Sequence, residues 1–210
     1  VGANLPPNLN KLCLNVESCK RVGDRGLKGI CAKLPASLRI LELGMAGVEE
    51  VHDEGLLGIG EGLPAGLQEL QLDCSRCVSL TAAGVNGLCQ RLPGGLTLLS
   101  LKLLRCTRLN DEVLGLHLPV GLRDLTLNLT HCQEVSDAGL EVFATRLAPP
   151  GDPALEQTQN LDLCFHRCSK VSSTGLKTLQ STLTHSPDEL PLTYLRKTLA
   201  GRRPVGRVDP

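Results

Sequence analysis

The dipeptide Leu-Pro returns at Leu5-Pro6, Leu34-Pro35, Leu63-Pro64, Leu92-Pro93 and Leu118-Pro119, with spacings of 29, 29, 29 and 26 residues. Such a period constrains the fold more than any local propensity, because each repeat is one supersecondary unit whose apolar face is covered only by stacking on its neighbours. Four residues after each of these leucines stands another (Leu9, Leu38, Leu67, Leu96, Leu122), and an apolar-polar alternation then begins. Its apolar members are Leu12/Leu14/Val16, Leu41/Leu43/Met45, Leu70/Leu72/Cys74, Leu99/Leu101/Leu103, Leu125/Leu127/Leu129 and Leu161/Leu163/Phe165. A period of two is that of a strand with one face buried.

Three residues beyond each run a cysteine occurs in five of six units (Cys19, Cys77, Cys106, Cys132, Cys168), with Val48 in the second. A polar helix start follows, as in Gly23-Asp24, Asn110-Asp111 and Ser136-Asp137, and then apolar residues at helical spacing, such as Leu27/Ile30/Cys31 and Leu140/Phe143/Ala144. One strand and one helix per unit predict an α/β solenoid of about six units of about 29 residues, with a curved parallel sheet on its concave face. The composition fits: without Trp, and with only two Phe and one Tyr, Leu and Val must fill many equivalent small slots.

The segment Leu127-Asn128-Leu129-Thr130-His131-Cys132-Gln133-Glu134-Val135-Ser136-Asp137-Ala138-Gly139-Leu140 resembles the cysteine-containing class of leucine-rich repeats, whose pattern reads L-x-x-L-x-L-x-x-C-x-x-(I/L)-(T/S)-D-x-G-L. That class is best known from the substrate-binding halves of F-box proteins, where repeats run to about 26 residues. The resemblance covers about residues 5 to 183. It implies an interaction module and, as an alternative, a substrate-recognition module of an F-box-type ubiquitin ligase, which requires an adaptor-binding segment outside residues 1 to 210.

The frame is irregular in three places. The fourth unit is three residues short, so its helix is expected to lose about one turn. Ala148-Pro149-Pro150-Gly151-Asp152-Pro153-Ala154 lengthens the Cys132 to Cys168 interval to 36 residues, and its three prolines and one glycine predict a protruding loop. After Leu183 the pattern stops, which divides the chain into a solenoid over 1–183 and a C-terminal cap and basic extended tail over 184–210. A possible apolar seam in that tail is Leu192, Leu195 and Leu199, and its basic residues Arg196, Lys197, Arg202, Arg203 and Arg207 are candidates for contact with an acidic neighbour.

Four residue patterns suggest chemistry and are better explained by packing. Cys74-Ser75-Arg76-Cys77 and Cys164-Phe165-His166-Arg167-Cys168 have the close thiol spacing of zinc sites, but Cys74 stands where Val16, Met45 and Leu103 stand, on the buried side of a strand. The cysteines are therefore read as reduced, buried and weakly donating to turn carbonyls, which favours a reducing compartment, cytoplasmic or organellar. His52, His117, His131, His166 and His185 fall at different repeat positions, none beside a nucleophile. Asp24, Asp53, Asp111 and Asp137 recur at one helix-start position, where the helix dipole favours a carboxylate. Gly58-Ile59-Gly60-Glu61-Gly62 lacks the Gly-Lys-Ser/Thr of a phosphate loop and reads as a loose helix end. The expectation is no enzyme activity, metal or cofactor, and no small-molecule substrate.

Lys+Arg and Asp+Glu are both 22, so no net charge draws the chain to nucleic acid or anionic lipid. No run approaches the roughly 18 apolar residues of a membrane span. On the strands, the residues between the buried leucines face out of the concave sheet. They give Cys13/Asn15, Glu42/Gly44, Gln71/Asp73, Ser100/Lys102, Thr126/Asn128 and Asp162/Cys164, a small, polar, mildly acidic strip. Glu42, Gln71, Asp73, Ser100, Lys102, Thr126, Asn128 and Asp162 are thus the candidate partner-binding residues, suited to a basic or polar protein surface. The expected role is a non-catalytic interaction or scaffolding subunit in a larger assembly, with protein partners and no nucleic acid.

Overall fold

The computed structural model describes residues 5–147 and 158–184. Six strands, β1 (Lys11–Asn15), β2 (Ile40–Gly44), β3 (Glu69–Asp73), β4 (Leu98–Lys102), β5 (Asp124–Asn128) and β6 (Asn160–Cys164), form one parallel sheet in chain order. Between them run α1 (Asp24–Cys31), α2 (Asp53–Gly62), α3 (Ala82–Cys89) and α4 (Asp137–Leu147), and α5 (Ser173–Thr184) follows β6. Sequential parallel neighbours require a crossover each time, and the helix of each unit supplies it.

Strand register follows the repeat. Leu12 pairs with Leu41, Leu41 with Leu70, Leu70 with Leu99, Leu99 with Leu125 and Leu125 with Leu161, so the inward leucines stack as continuous ladders. The short fourth unit and the long fifth leave this register intact; the difference is taken up outside the sheet. In the fourth unit the helix shrinks to a four-residue 3-10 helix, Asp111–Leu114. Arg146 from α4 reaches back to it, donating to the carbonyls of Leu114 (3.2 Å) and Leu116 (2.5 Å). The loop expected over Ala148–Ala154 lies outside the described residues.

The cysteine column joins units. Cys77, Cys106, Cys132 and Cys168 are at most 5% exposed, and each thiol donates to a carbonyl of the unit before it: Met45 (3.3 Å), Cys74 (3.1 Å), Leu103 (3.2 Å) and Leu129 (3.1 Å). A Sγ at this depth both packs and gives a second donor to a carbonyl that already accepts the amide three residues on. The expectation of burial fails at Cys19, which is exposed, while the two cysteines that alternation places on the outward strip, Cys13 and Cys164, are exposed and half-buried. Cys19 belongs to the first described unit and has no described unit before it to cover it; Cys13 and Cys164 sit on the outward side of their strands.

The glycine-rich end of α2 is also different from expectation. Gly58 and Gly60 are buried within the helix, and a Cβ at Gly58 would come within 2.9 Å of the Lys28 Cβ on α1. Glycine there permits close helix approach, which offsets its unfavourable helix propensity.

The residue before each column position has a left-handed backbone: Ser18, Gly47, Arg76, Arg105, His131 and Arg167, with φ between 56° and 69°. This turn ends the strand segment and sends the chain towards its helix. Its amides run from rung to rung, Arg76 N–H to the Leu104 carbonyl (2.6 Å), Arg105 N–H to Thr130 (2.9 Å) and His131 N–H to His166 (2.8 Å).

Candidate functional site

Alternation of side chains places the outward residues of the six strands in registered rows. One row runs Cys13, Glu42, Gln71, Ser100, Thr126, Asp162, and the next runs Asn15, Gly44, Asp73, Lys102, Asn128, Cys164. All eight candidate strand residues therefore share one face. Lys102 is exposed and the other seven are half-buried by their neighbours. A third row, Lys11, Ile40, Glu69, Leu98, Asp124 and Asn160, flanks them and was missed from sequence. The same alternation carried one step towards the N-terminus of each strand would have found it.

The rows differ chemically. Asn15, Asp73 and Asn128 each use a side-chain oxygen to accept the N–H two residues on, at 2.9, 3.0 and 3.1 Å, closing the turn that leaves the strand. These are Asx turns, so Asp73 and Asn128 serve the backbone and keep only their outer atoms for a partner. Gln71, Ser100, Thr126 and Asp162 lie in the other row, flanked by Glu42.

Glu42 is held at the N-terminal end of the strip, its carboxylate accepting from Lys11 Nζ (2.7 Å) and from Cys13 Sγ (3.2 Å). The bond to Lys11, then that to Cys13, pulls the Glu42 carboxyl below its usual range. The same contact with Glu42 pushes the Cys13 thiol up, away from the thiolate form a nucleophile needs. Beside this cluster lies a shallow depression of about 270 Å³. Gly44, between Asn15 and Asp73, leaves its floor open, and Gln71, Ser100 and Lys102 close its far side. Thr126, Asn128 and Asp162 continue the face beyond it.

The cysteine pairs that suggested zinc lie apart from each other in the fold. Among the described residues no three His, Cys, Asp or Glu side chains converge on a point that could hold a metal ion. Burial pushes the thiols of Cys77 and Cys168 up to about 11 and that of Cys132 up to about 12. Among the described residues no helix is long and apolar enough to cross a membrane. The tail candidates Arg196, Lys197, Arg202, Arg203 and Arg207 lie outside the described residues.

A family model described as Leucine Rich repeat matches residues 12–31 and 123–144, which are the strand-to-helix stretch of the first unit and most of the fifth. It names the repeat and not the cysteine-containing subclass. No curated protein matches the chain in sequence. Among solved structures, the chain is similar to one in the crystal structure of the Rad7 and Elc1 complex in yeast, at 17% identity and TM-score 0.44, over 73% of this chain and 42% of that one. It is also similar to the leucine-rich repeat-containing protein LegL7 from Legionella pneumophila, at 16% identity and TM-score 0.41, over 85% of this chain and 63% of that one. The chain thus spans less than two thirds of either.

Proposed function

The chain is a leucine-rich-repeat protein, and from that premise we propose that it is a non-catalytic protein-interaction or scaffolding module, an accessory subunit held in a larger assembly. The observation that carries the reading is the concave face: six in-register strands hold Gln71, Ser100, Thr126 and Asp162 in one row on a rigid backbone. Outward polar side chains fixed on strands lose little freedom on binding, which favours recognition of an extended surface over capture of a small molecule. The depression at Gly44 is shallow, and the surrounding carboxylates Glu42, Glu69, Asp73, Asp124 and Asp162 outnumber Lys11 and Lys102, so a basic or polar partner surface fits best. The basic stretch from Arg196 to Arg207 is assigned to a second contact, an anchor on an acidic neighbour.

Photo-crosslinking tests the reading. With a photoreactive residue at Gln71 or Thr126, a protein adduct is expected in extract of the native source, while the same group at Val142, 55% exposed on α4, is expected to give none. Equal yields from both faces, or adducts from Val142 alone, would remove the concave face from the proposal.

A further inference from the structure

We infer that the left-handed turn column is a second interaction surface, a basic rim formed by Arg76, Arg105, His131 and Arg167 that takes an extended, carboxylate-rich segment of a partner protein. The four residues occupy the same position in four consecutive units, and the amide bonds from rung to rung fix them side by side. Parallel strands lie about 4.8 Å apart, so the rim spans about 14 Å, the length of about four or five extended residues. Arg76, Arg105 and Arg167 are exposed, and among the described residues none of the three has a carboxylate within ion-pair distance. Asp73, three residues before Arg76, instead has a carboxylate oxygen on the Ser75 amide, and Glu134 pairs with Lys170 at 2.6 Å.

Two further observations point the same way. A left-handed conformation disfavours residues with a Cβ by about 1 to 2 kcal/mol, and glycine, as at Gly47, relieves it; arginine at three such rungs keeps that strain and adds charge. The His131 imidazole is held below its usual range, first by burial and then by the charges of Arg105 and Arg167, so the guanidinium groups act together on one point. A protein segment is favoured over nucleic acid because the rim is one side chain wide and both phenylalanines are buried, at 0% and 7% exposure, which leaves His131 as the one ring among the four rim residues, too few for successive bases to stack on. The rim also borders the acidic concave strip, so one partner carrying adjacent basic and acidic stretches fits both surfaces in a single orientation.

The inference rests on the reading of the chain as an interaction module, and the experiment keeps the two separable. The probe is fluorescein-labelled hexaglutamate, its anisotropy followed with the full chain at low ionic strength. Binding is expected to be salt-sensitive, and R76Q/R105Q/R167Q is expected to weaken it by about tenfold. The variant K20Q/R21Q/R25Q removes as many charges from the first unit and is expected to stay within about twofold of the parent. R76N/R105N/R167N, in which asparagine tolerates the left-handed backbone, should match the glutamine variant and melt no lower than the parent, which separates lost charge from lost folding. All variants retain the basic tail, so its contribution cancels. Absent binding by the parent, equal losses in the rim and first-unit variants, or tighter and equally rim-dependent binding of hexathymidylate would each overturn the inference. Crosslinks from Gln71 and Thr126 would stand in every one of those cases.

Discussion

Asp111 reaches forward from one unit to hold the start of the next: its two carboxylate oxygens accept the backbone N–H and the hydroxyl of Ser136, both at 2.6 Å. The Ser136 hydroxyl in turn accepts the Ala138 N–H at 3.2 Å, capping α4. The same arrangement links Asp53 to Thr81 and Asp137 to Ser172, and Asp24 accepts the His52 N–H. The recurring aspartate is therefore an inter-unit clamp more than a partner of its own helix dipole. It also explains the glycine two residues into each following helix, since a Cβ at Gly139 would lie 2.6 Å from Asp111 Oδ1.

D111A is expected to destabilise the fold by about 1 to 3 kcal/mol, because half-buried donors on Ser136 lose their acceptor. G139A should cost a comparable amount while Asp111 is present, through the clash. In D111A/G139A the clash is gone, so the double variant should be less destabilised than the sum by about 0.5 kcal/mol or more. Urea denaturation of the four proteins measures this; strict additivity would show that the contact does not limit the helix spacing.

L101A and L127A should each destabilise by about 2 to 5 kcal/mol, since Leu101 and Leu127 are 2% and 0% exposed and pair across β4 and β5. S100A and T126A, one residue earlier on the opposite face, should stay within about 0.5 kcal/mol. Equal costs on the two faces, read from chemical denaturation, would contradict the register.

Under native conditions the exposed Cys19 should react with a thiol reagent at once and the exposed Cys13 more slowly, its thiol held protonated by Glu42, whereas Cys77, Cys106 and Cys132, all at 0% exposure, should react only on unfolding. Peptide mapping after a short labelling pulse distinguishes them. Rapid native modification of Cys106 would contradict the thiol-to-carbonyl bridge.

The column also makes stability pH-dependent. An unfolded thiol ionises near about 8.5, whereas burial raises Cys77 and Cys168 to about 11 and Cys132 to about 12. Above the unfolded value the unfolded chain releases protons that the folded chain keeps, so stability is full below about pH 8.5 and falls as pH rises towards the folded values. Tm should therefore drop steeply from about pH 8.5 to about pH 10.5, and C77V/C132V, which copies Val48 of the second unit, should flatten the drop. An unchanged slope in that variant would assign alkaline sensitivity to other groups.

Sequence alone determined the unit, its count and the face of the two central outward rows, because a period of two within a period of 29 leaves one register that buries the ladder leucines of β2 to β6. It also located the short fourth helix, since three missing residues cannot be taken from the strand without breaking that register. What only the tertiary structure decided are the relations across units. That Asp111 bonds to Ser136 and that Arg105 stands beside His131 depend on which residues come side by side when units stack. Each pair lies 25 or more positions apart, and no local pattern encodes such a contact. Exposure of Cys19 among the described residues was decided there too: it holds the same repeat position as Cys77, but Cys77 packs on the described unit before it and Cys19 has no described unit to pack on.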